Sequence, residues 1–333
     1  MKKIAIVMSS HLKNGIFSSE KPYDFDNFLY QQRLLKSNFL ELGYDVATYD
    51  INSPVDSQIV FYYDYNKSLP EPDISKVNFL FLWESSVISP QMYNLELHGK
   101  FDKIFTFCDE LVDNKKYFKI NYAYEIPSEI SKNTARKQKL CTLIAGNKMV
   151  NHPLELYSKR IDAVRWFEKH HQDEFDLYGR GWCIPSSLLL RRVYNRLPVL
   201  RKILSKLLPK PYPSYCGELD EKIPVLEKYK FAICYENARD IPGYITEKIF
   251  HCFFAGCVPI YWGANNIMDY VPAGCFIDKR KYATYEELYE YISKMPDVES
   301  LNYLINIELF LKSSQVKQFS AENFVNIVTS NTI

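Results

Sequence analysis

The sequence is poor in the features that most quickly assign a function. It has no surplus of either charge: 41 Lys and Arg stand against 40 Asp and Glu, a net charge of +1 over 333 residues. Nothing global therefore draws the chain to nucleic acid or to an anionic membrane, and any such attraction has to be local. It also has no long apolar run. The longest uncharged stretch, residues 249–266, contains His251, Gly256 and Pro259 and reads as a helix end followed by a strand, not as a membrane span. Residues 4–8, behind Lys2 and Lys3, are too few for the apolar region of a signal peptide. These absences predict a cytoplasmic protein.

Familiar motif frames are missing too. The eight cysteines (108, 141, 183, 216, 234, 252, 257 and 275) form no CxxC pair, and several fall in apolar runs. They read as reduced, buried thiols rather than disulfides or zinc ligands. The six histidines (11, 98, 152, 170, 171 and 251) have no ligand spacing, so no metal site is expected. His170 and His171 read as surface residues. No GxGxxG, GxxxxGK[ST] or GxSxG frame occurs, which removes the dinucleotide, P-loop and serine-hydrolase readings.

What is present is an ordinary soluble composition, 47% apolar and 24% charged, in a chain long enough for two domains. Strand patterns at residues 3–9, 45–49, 58–63, 78–83 and 101–107 alternate with a helix at 26–42 stopped by Gly43, as in a doubly wound α/β domain. The polar, proline-bearing stretch 126–139 reads as the boundary. Beyond it, strands are expected at 140–145, 175–178, 231–235 and 258–262, and helices at 153–169 and from 247. Thr284 and Glu287 form a capping box for a helix to about Met295, and 301–328 reads as a helical tail packing back across the domains. The expected division is 1–130, 131–310 and a C-terminal helix in 311–333.

Three segments invite competing readings. Asp24-Phe25-Asp26 spells DxD, a metal motif elsewhere, but it precedes a helix, where Asp26 reads as a cap. The Lys-rich stretch 115–119 reads as a solvated face. Residues 187–210 repeat leucine near helical spacing and carry Arg191, Arg192, Arg196, Arg201, Lys202, Lys206 and Lys210. This is either a basic amphipathic surface for an anionic membrane or acceptor, or a solvated helix packed on its own domain.

The chemistry concentrates in residues 229–277. A buried strand, a loop holding Pro242 and Gly243, and a helix capped by Thr246 and ended by Gly256 place free N–H groups at a strand's carboxyl edge. Glu247 and Lys248 open that helix, and Arg160 lies on the helix after the preceding domain strand. Two fixed cations suit the charge that develops on a leaving diphosphate, although structural pairing is the competing account of Lys248. Glu84 ends a strand of the first domain, a position for a general base facing the crevice or for a helix-capping carboxylate. The two glycines of Gly179-Arg180-Gly181 read as permitting close approach to a ligand.

The stretch CYENARDIPGYITEKIFHCFFAGCVPIYWGANNIMDYVP, residues 234–272, resembles the signature of the α-1,3-fucosyltransferases, glycosyltransferase family 10. LWESS at 82–86, with RIDAVRWF and FDLYGRGW upstream of the signature, extends the resemblance. It implies a GT-B architecture, two Rossmann-like domains facing a central cleft, with GDP-fucose held mainly by the second. By this resemblance Arg160 and Lys248 bind the diphosphate, Tyr244 and Glu247 contact ribose or fucose, Thr246 belongs to the donor site and Asn237 shapes it. Glu84 would take the proton from an acceptor hydroxyl in an inverting transfer to a surface glycan, with an α-1,3-type linkage and with neither metal nor tightly bound cofactor. Ala238 stands where relatives have Ser, which leaves open another nucleotide-sugar donor; a non-catalytic glycan-binding protein on this fold is the reading from another class.

Overall fold

The computed structural model describes residues 1–9, 12–134, 137–183 and 211–333. Two sheets organise it. The first contains β1 (Lys2–Met8), β2 (Tyr44–Thr48), β3 (Ile59–Tyr63), β4 (Val77–Leu82), β5 (Lys103–Thr106) and β6 (Tyr117–Lys119), in the order β2-β1-β3-β4-β5-β6. The second contains β7 (Lys139–Ile144), β8 (Phe175–Tyr178), β9 (Tyr215–Gly217), β10 (Tyr229–Tyr235), β11 (Val258–Trp262) and β12 (Ile277–Asp278), in the order β12-β11-β10-β7-β8-β9. Every pairing in both sheets is parallel. The winding direction reverses between β1 and β3 in one sheet and between β7 and β10 in the other. Such reversals open a crevice at the carboxyl ends of the strands.

Parallel strands covered on both faces must be apolar throughout, and Ile4–Val7 and Phe231–Cys234 are buried at every position. One face of the first sheet packs on Leu35 and Phe39 of the helix Tyr30–Glu41 and on Phe324, Val325 and Val328 of the helix Ala321–Ser330. Each such buried side chain contributes roughly 1.5–3 kcal/mol. The helix Ala321–Ser330 thus lies against the first sheet, and Lys103 Nζ fastens it by donating to the Asn331 carbonyl at 2.7 Å.

Several local expectations change. The first helix begins at Tyr30, not near Asp26. Asp26 is a cap, but for the other domain: its carboxylate accepts from the Lys222 and Ile223 amides at 2.7 and 3.2 Å, at the start of the helix Ile223–Leu226. Lys119 is not a solvated charge. Its ammonium donates to Asp109 at 2.6 Å and lies 4.8 Å from the Tyr270 ring centre. Asp109 in turn accepts from the Tyr270 hydroxyl and from Asn266 Nδ2, at 2.5 and 2.9 Å, so one carboxylate ties the first domain to the second. His170 is exposed as expected, its ring against Trp166, whereas His171 is half-buried and stacks on Tyr289 at 3.4 Å. The capping box at Thr284 and Glu287 forms as read. Of the basic segment 187–210, Arg191, Arg192, Arg196, Arg201, Lys202 and Lys206 lie outside the described residues.

Candidate active site

A cleft of about 540 Å³ runs along the carboxyl edge of the second sheet and is closed from the other side by Glu84 and Tyr122 of the first domain. It sits at the β7/β10 reversal. Lys148, Arg160, Arg180, Lys222 and Lys248 line it against two carboxylates, Glu84 and Glu247. Three of these cations, Arg160, Lys222 and Lys248, are buried or half-buried and two, Lys148 and Arg180, are exposed; five cations against two carboxylates at the strand ends suit a polyanion.

Arg160 projects from the helix Tyr157–His170 and is only 2% exposed. One of its terminal nitrogens donates to the carbonyls of Tyr235 and Glu236, both at 2.7 Å, and to Asn237 Oδ1 at 3.1 Å. It has no carboxylate partner among the described residues. Burial lowers its pKa, yet a guanidinium keeps its charge in a protein, so Arg160 brings an unneutralised cation to the end of β10.

Lys248 is neutralised differently. Its ammonium lies 3.0 Å from Glu236 Oε2 and donates to Thr246 Oγ1 at 2.8 Å. Burial opposes its charge, but Glu236 and Glu247 outweigh burial and raise its pKa. Structural pairing therefore claims Lys248, while the residue still lines the cleft. Thr246 departs from its expected role as well. It occupies the N-cap position of the helix Glu247–Phe254, but its hydroxyl and amide both donate to Glu236, at 2.6 and 2.8 Å, and make no cap. Glu236, fully buried, is the residue that sequence reasoning passed over. It stood inside the signature next to Asn237, and only its three partners reveal its part.

Glu247 faces Lys222 at 3.5 Å and Lys248 at 3.9 Å. Burial acts to raise its pKa, and Lys248, Lys222 and His251 together hold it well below the usual carboxylate range. Lys222 had no sequence signal, being one lysine in a polar loop. Arg180 did have one, since the glycines beside it were singled out. Those glycines serve the fold first: a Cβ on Gly179, whose φ is +121°, would lie 2.1 Å from the Ala145 carbonyl oxygen. The close approach is between β8 and β7.

Glu84 follows β4 and reaches across the cleft. Its Oε1 accepts from the Tyr244 hydroxyl at 2.5 Å and from the Ser85 amide at 3.0 Å, and its Oε2 lies 3.4 Å from Asn237 Nδ2. The Tyr244 hydroxyl also accepts from Asn237 Nδ2 at 3.2 Å. Burial, with Tyr122 and Glu84 adding, raises the Tyr244 pKa well above its ordinary value, so the phenol stays protonated and donates. The structure thus brings Glu84, Arg160, Asn237, Tyr244, Glu247 and Lys248 to one cleft, with Thr246 in its wall. Asp24 and Asp26 are elsewhere, Asp24 holding Arg33 at 2.5 Å.

The comparisons agree on the kind of domain. Residues 213–326 match the family model "Glycosyltransferase family 10 (fucosyltransferase) C-term". An α-(1,4)-fucosyltransferase of Arabidopsis thaliana is 39% identical over 72 residues, 22% of this chain and 18% of the relative. The α-(1,3)-fucosyltransferase FucT of Helicobacter pylori is 34% identical over 67 residues, 20% of this chain and 14% of the relative. The matched stretches thus span less than a fifth of either relative. Among solved structures, an α1,3-fucosyltransferase with GDP-fucose superposes with a TM-score of 0.52 at 16% identity, covering 99% of this chain and 89% of the other. An α-glucosyltransferase (AGT) in complex with UDP gives 0.57 at 13% identity and covers 99% of both chains. These two likenesses are of fold. The chain thus shares the two-domain, parallel-sheet fold of these transferases, and its residues 213–326 match the family 10 (fucosyltransferase) C-terminal model.

Proposed function

We propose that the protein transfers L-fucose from GDP-fucose to a hydroxyl of a glycan acceptor, with inversion at the anomeric carbon. The observation that carries the proposal is Glu84, which crosses from the first domain to the Tyr244–Asn237 pair at the mouth of a cationic cleft. In the reaction an acceptor oxygen attacks the anomeric carbon from the face opposite the diphosphate. The carbon–oxygen bond to the diphosphate breaks as the new glycosidic bond forms. Glu84 takes the hydroxyl proton, and GDP leaves against fixed positive charge. Arg160, with Lys222 and Lys248, faces the diphosphate; Tyr244 and Glu247 face the sugar or ribose, and Asn237 orients Glu84.

Residues 1–130 would present the acceptor and 131–310 the donor, at the cytoplasmic face of a membrane carrying a lipid-linked glycan, with an α-1,3-type linkage. The basic segment 187–210 would supply a salt-sensitive contact with anionic lipid, read by co-sedimentation with anionic liposomes.

Thermal unfolding against a panel of sugar nucleotides tests the donor. GDP-fucose at 100 times its dissociation constant should stabilise the protein by about 2.7 kcal/mol. Stabilisation by UDP-sugars and not by GDP-fucose would replace the donor. Mass detection of transfer onto galactose- and N-acetylglucosamine-containing sugars then tests the acceptor class.

A further inference from the structure

A second cavity, of about 290 Å³, lies at the carboxyl edge of the first sheet, bounded by the ends of β1, β3 and β4 and by residues 28–32. Because β1 and β3 are the strands between which that sheet reverses, the cavity occupies the second switch-point crevice of the molecule, the place where open α/β sheets take ligands. Four aromatic side chains, Phe28, Tyr63, Trp83 and Tyr122, stand in its wall beside Met8, Ile16 and Leu29. Trp83 is held between Phe81, with which it stacks at 6.2 Å, and Tyr122 at 5.5 Å.

Four polar side chains interrupt this wall, Ser9, Gln31, Gln32 and Asp64, and Gln32 is taken up by the Tyr63 hydroxyl, which donates to its Oε1 at 2.9 Å. Gln31 is 5% exposed, and its Oε1 has no hydrogen-bond partner among the described residues. A buried acceptor atom in that state awaits a donor. Asp64 sits at the end of β3 with a left-handed backbone (φ 49°), and its Oδ1 accepts from the Trp83 amide at 2.9 Å. Burial pushes the Asp64 carboxyl up to about 6 against that amide, and the charge of Glu84 adds to the rise; it is therefore mainly ionised above pH 7. No Lys or Arg occurs among the described residues of the wall. A cavity with aromatic side chains and a few polar groups, near the ~300 Å³ lower bound of small-molecule sites, suits a neutral, hydroxyl-rich ring. Tyr122 is common to this cavity and the donor cleft, its hydroxyl bonds to the Trp83 carbonyl, and Trp83 immediately precedes Glu84.

We propose that this cavity seats one neutral sugar ring of the acceptor, stacked on Trp83 with its hydroxyls donating to Asp64 and Gln31, so that the next ring meets Glu84. The proposal rests on the transferase reading and adds a restriction to it: a ring bearing a carboxylate or phosphate is repelled by Asp64 and finds no Lys or Arg among the described residues of the wall.

Isothermal titration of the full chain, with GDP saturating, tests this. The probes are galactose, N-acetylglucosamine, N-acetyllactosamine, and a disaccharide with glucuronate in place of galactose. At least one neutral sugar should bind. Its affinity should fall at least ~tenfold in both Asp64→Asn and Gln31→Met, as expected for a lost hydrogen bond to a buried group. The glucuronate sugar should bind no better than the Asp64→Asn protein binds the neutral one. Absence of neutral-sugar binding, equal affinity in the two variants and wild type, or preference for the glucuronate sugar overturns the proposal. GDP affinity, titrated first, tests the donor reading separately: wild-type protein that does not bind GDP sinks that reading, whereas lost sugar binding with GDP binding retained in the variants supports the cavity.

Discussion

The Tyr244 hydroxyl donates to Glu84 Oε1 at 2.5 Å, and the contact joins the two domains across the cleft. With the Ser85 amide on the same oxygen, Oε1 is fully engaged, whereas Oε2 has only Asn237 at 3.4 Å. Oε2 is therefore the oxygen that would take the proton in the proposed transfer. Glu84→Gln preserves shape and should lower kcat by roughly 10²–10⁴-fold, the usual contribution of a general base, with GDP affinity retained. Tyr244→Phe keeps the ring packed 4.9 Å from Phe107 and removes one charge-assisted hydrogen bond, so a loss of about tenfold in kcat is expected. Steady-state kinetics with varied acceptor give both numbers. Turnover of the Glu84→Gln protein at the wild-type rate removes Glu84 from the mechanism.

Lys222 should matter for binding more than for stability. Its pair with Glu247 is 3.5 Å long and its side chain is 37% exposed, a geometry in which an ion pair contributes about 0–1 kcal/mol. A bound diphosphate offers it a stronger partner. Lys222→Met should weaken GDP binding about tenfold while leaving the melting temperature of the free protein nearly unchanged. A large drop in melting temperature with unaltered GDP affinity would reverse that assignment.

Much of this was legible beforehand, because parallel strands buried on both faces leave unmistakable apolar runs. β8 and β11 fall on the very residues expected, Phe175–Tyr178 and Val258–Trp262. The three-residue strands β6 and β9 were missed, being too short to show a period. At the site, Glu84 and Arg160 could be placed because each lies at the end or on the face of a regular element. Glu236, Lys222 and Lys119 could not, since their roles come from partners 12, 25 and 10 residues away or more in the chain, or in the other domain. A carboxylate at a strand end looks the same in sequence whether it faces substrate or, as Glu236 does, holds Thr246 and Lys248 from beneath.

Gly243 shows how tightly the domains are set against each other. Its φ is +79°, and a Cβ there would lie 2.3 Å from the Phe107 carbonyl oxygen and 2.6 Å from Lys119 Nζ, both in the first domain. Gly243→Ala must strain the backbone, part the domains, or both; the left-handed strain alone costs about 1–3 kcal/mol. The expected result is a lower melting temperature together with a larger radius of gyration by small-angle scattering, because Asp109 would separate from Asn266 and Tyr270. Activity should fall with it, as Glu84 is carried on the same domain. An unchanged radius and an unchanged rate would show that the contact is not needed for closure.

Acid should destabilise the protein through His251. The side chain is 4% exposed and its Nδ1 has no partner among the described residues. Burial, with Lys222 and Lys248 nearby, lowers its pKa to about 3, against a smaller opposing pull from Glu247. The native imidazole is therefore neutral wherever the unfolded one, with a pKa near 6.5, takes up a proton. The unfolded state binds more protons in that window, so stability is fully present above pH 6.5 and is lost as pH falls towards about 3. The loss approaches ~1.4 kcal/mol for each pH unit within the window. Glu247 acts in the same direction at lower pH: its native pKa is depressed, and its contribution fades once the unfolded carboxyl begins to protonate near ~4.3. Urea unfolding of wild type and His251→Gln at pH 7.5, 6.0 and 5.0 isolates the histidine as the difference between the two profiles, because Asp64, whose raised carboxyl pKa of about 6 gives an opposing gain as pH falls, is common to both. Between pH 6.5 and 5 the wild type should lose roughly 2 kcal/mol more stability than His251→Gln. A variant that keeps the wild-type slope would place the titrating group elsewhere.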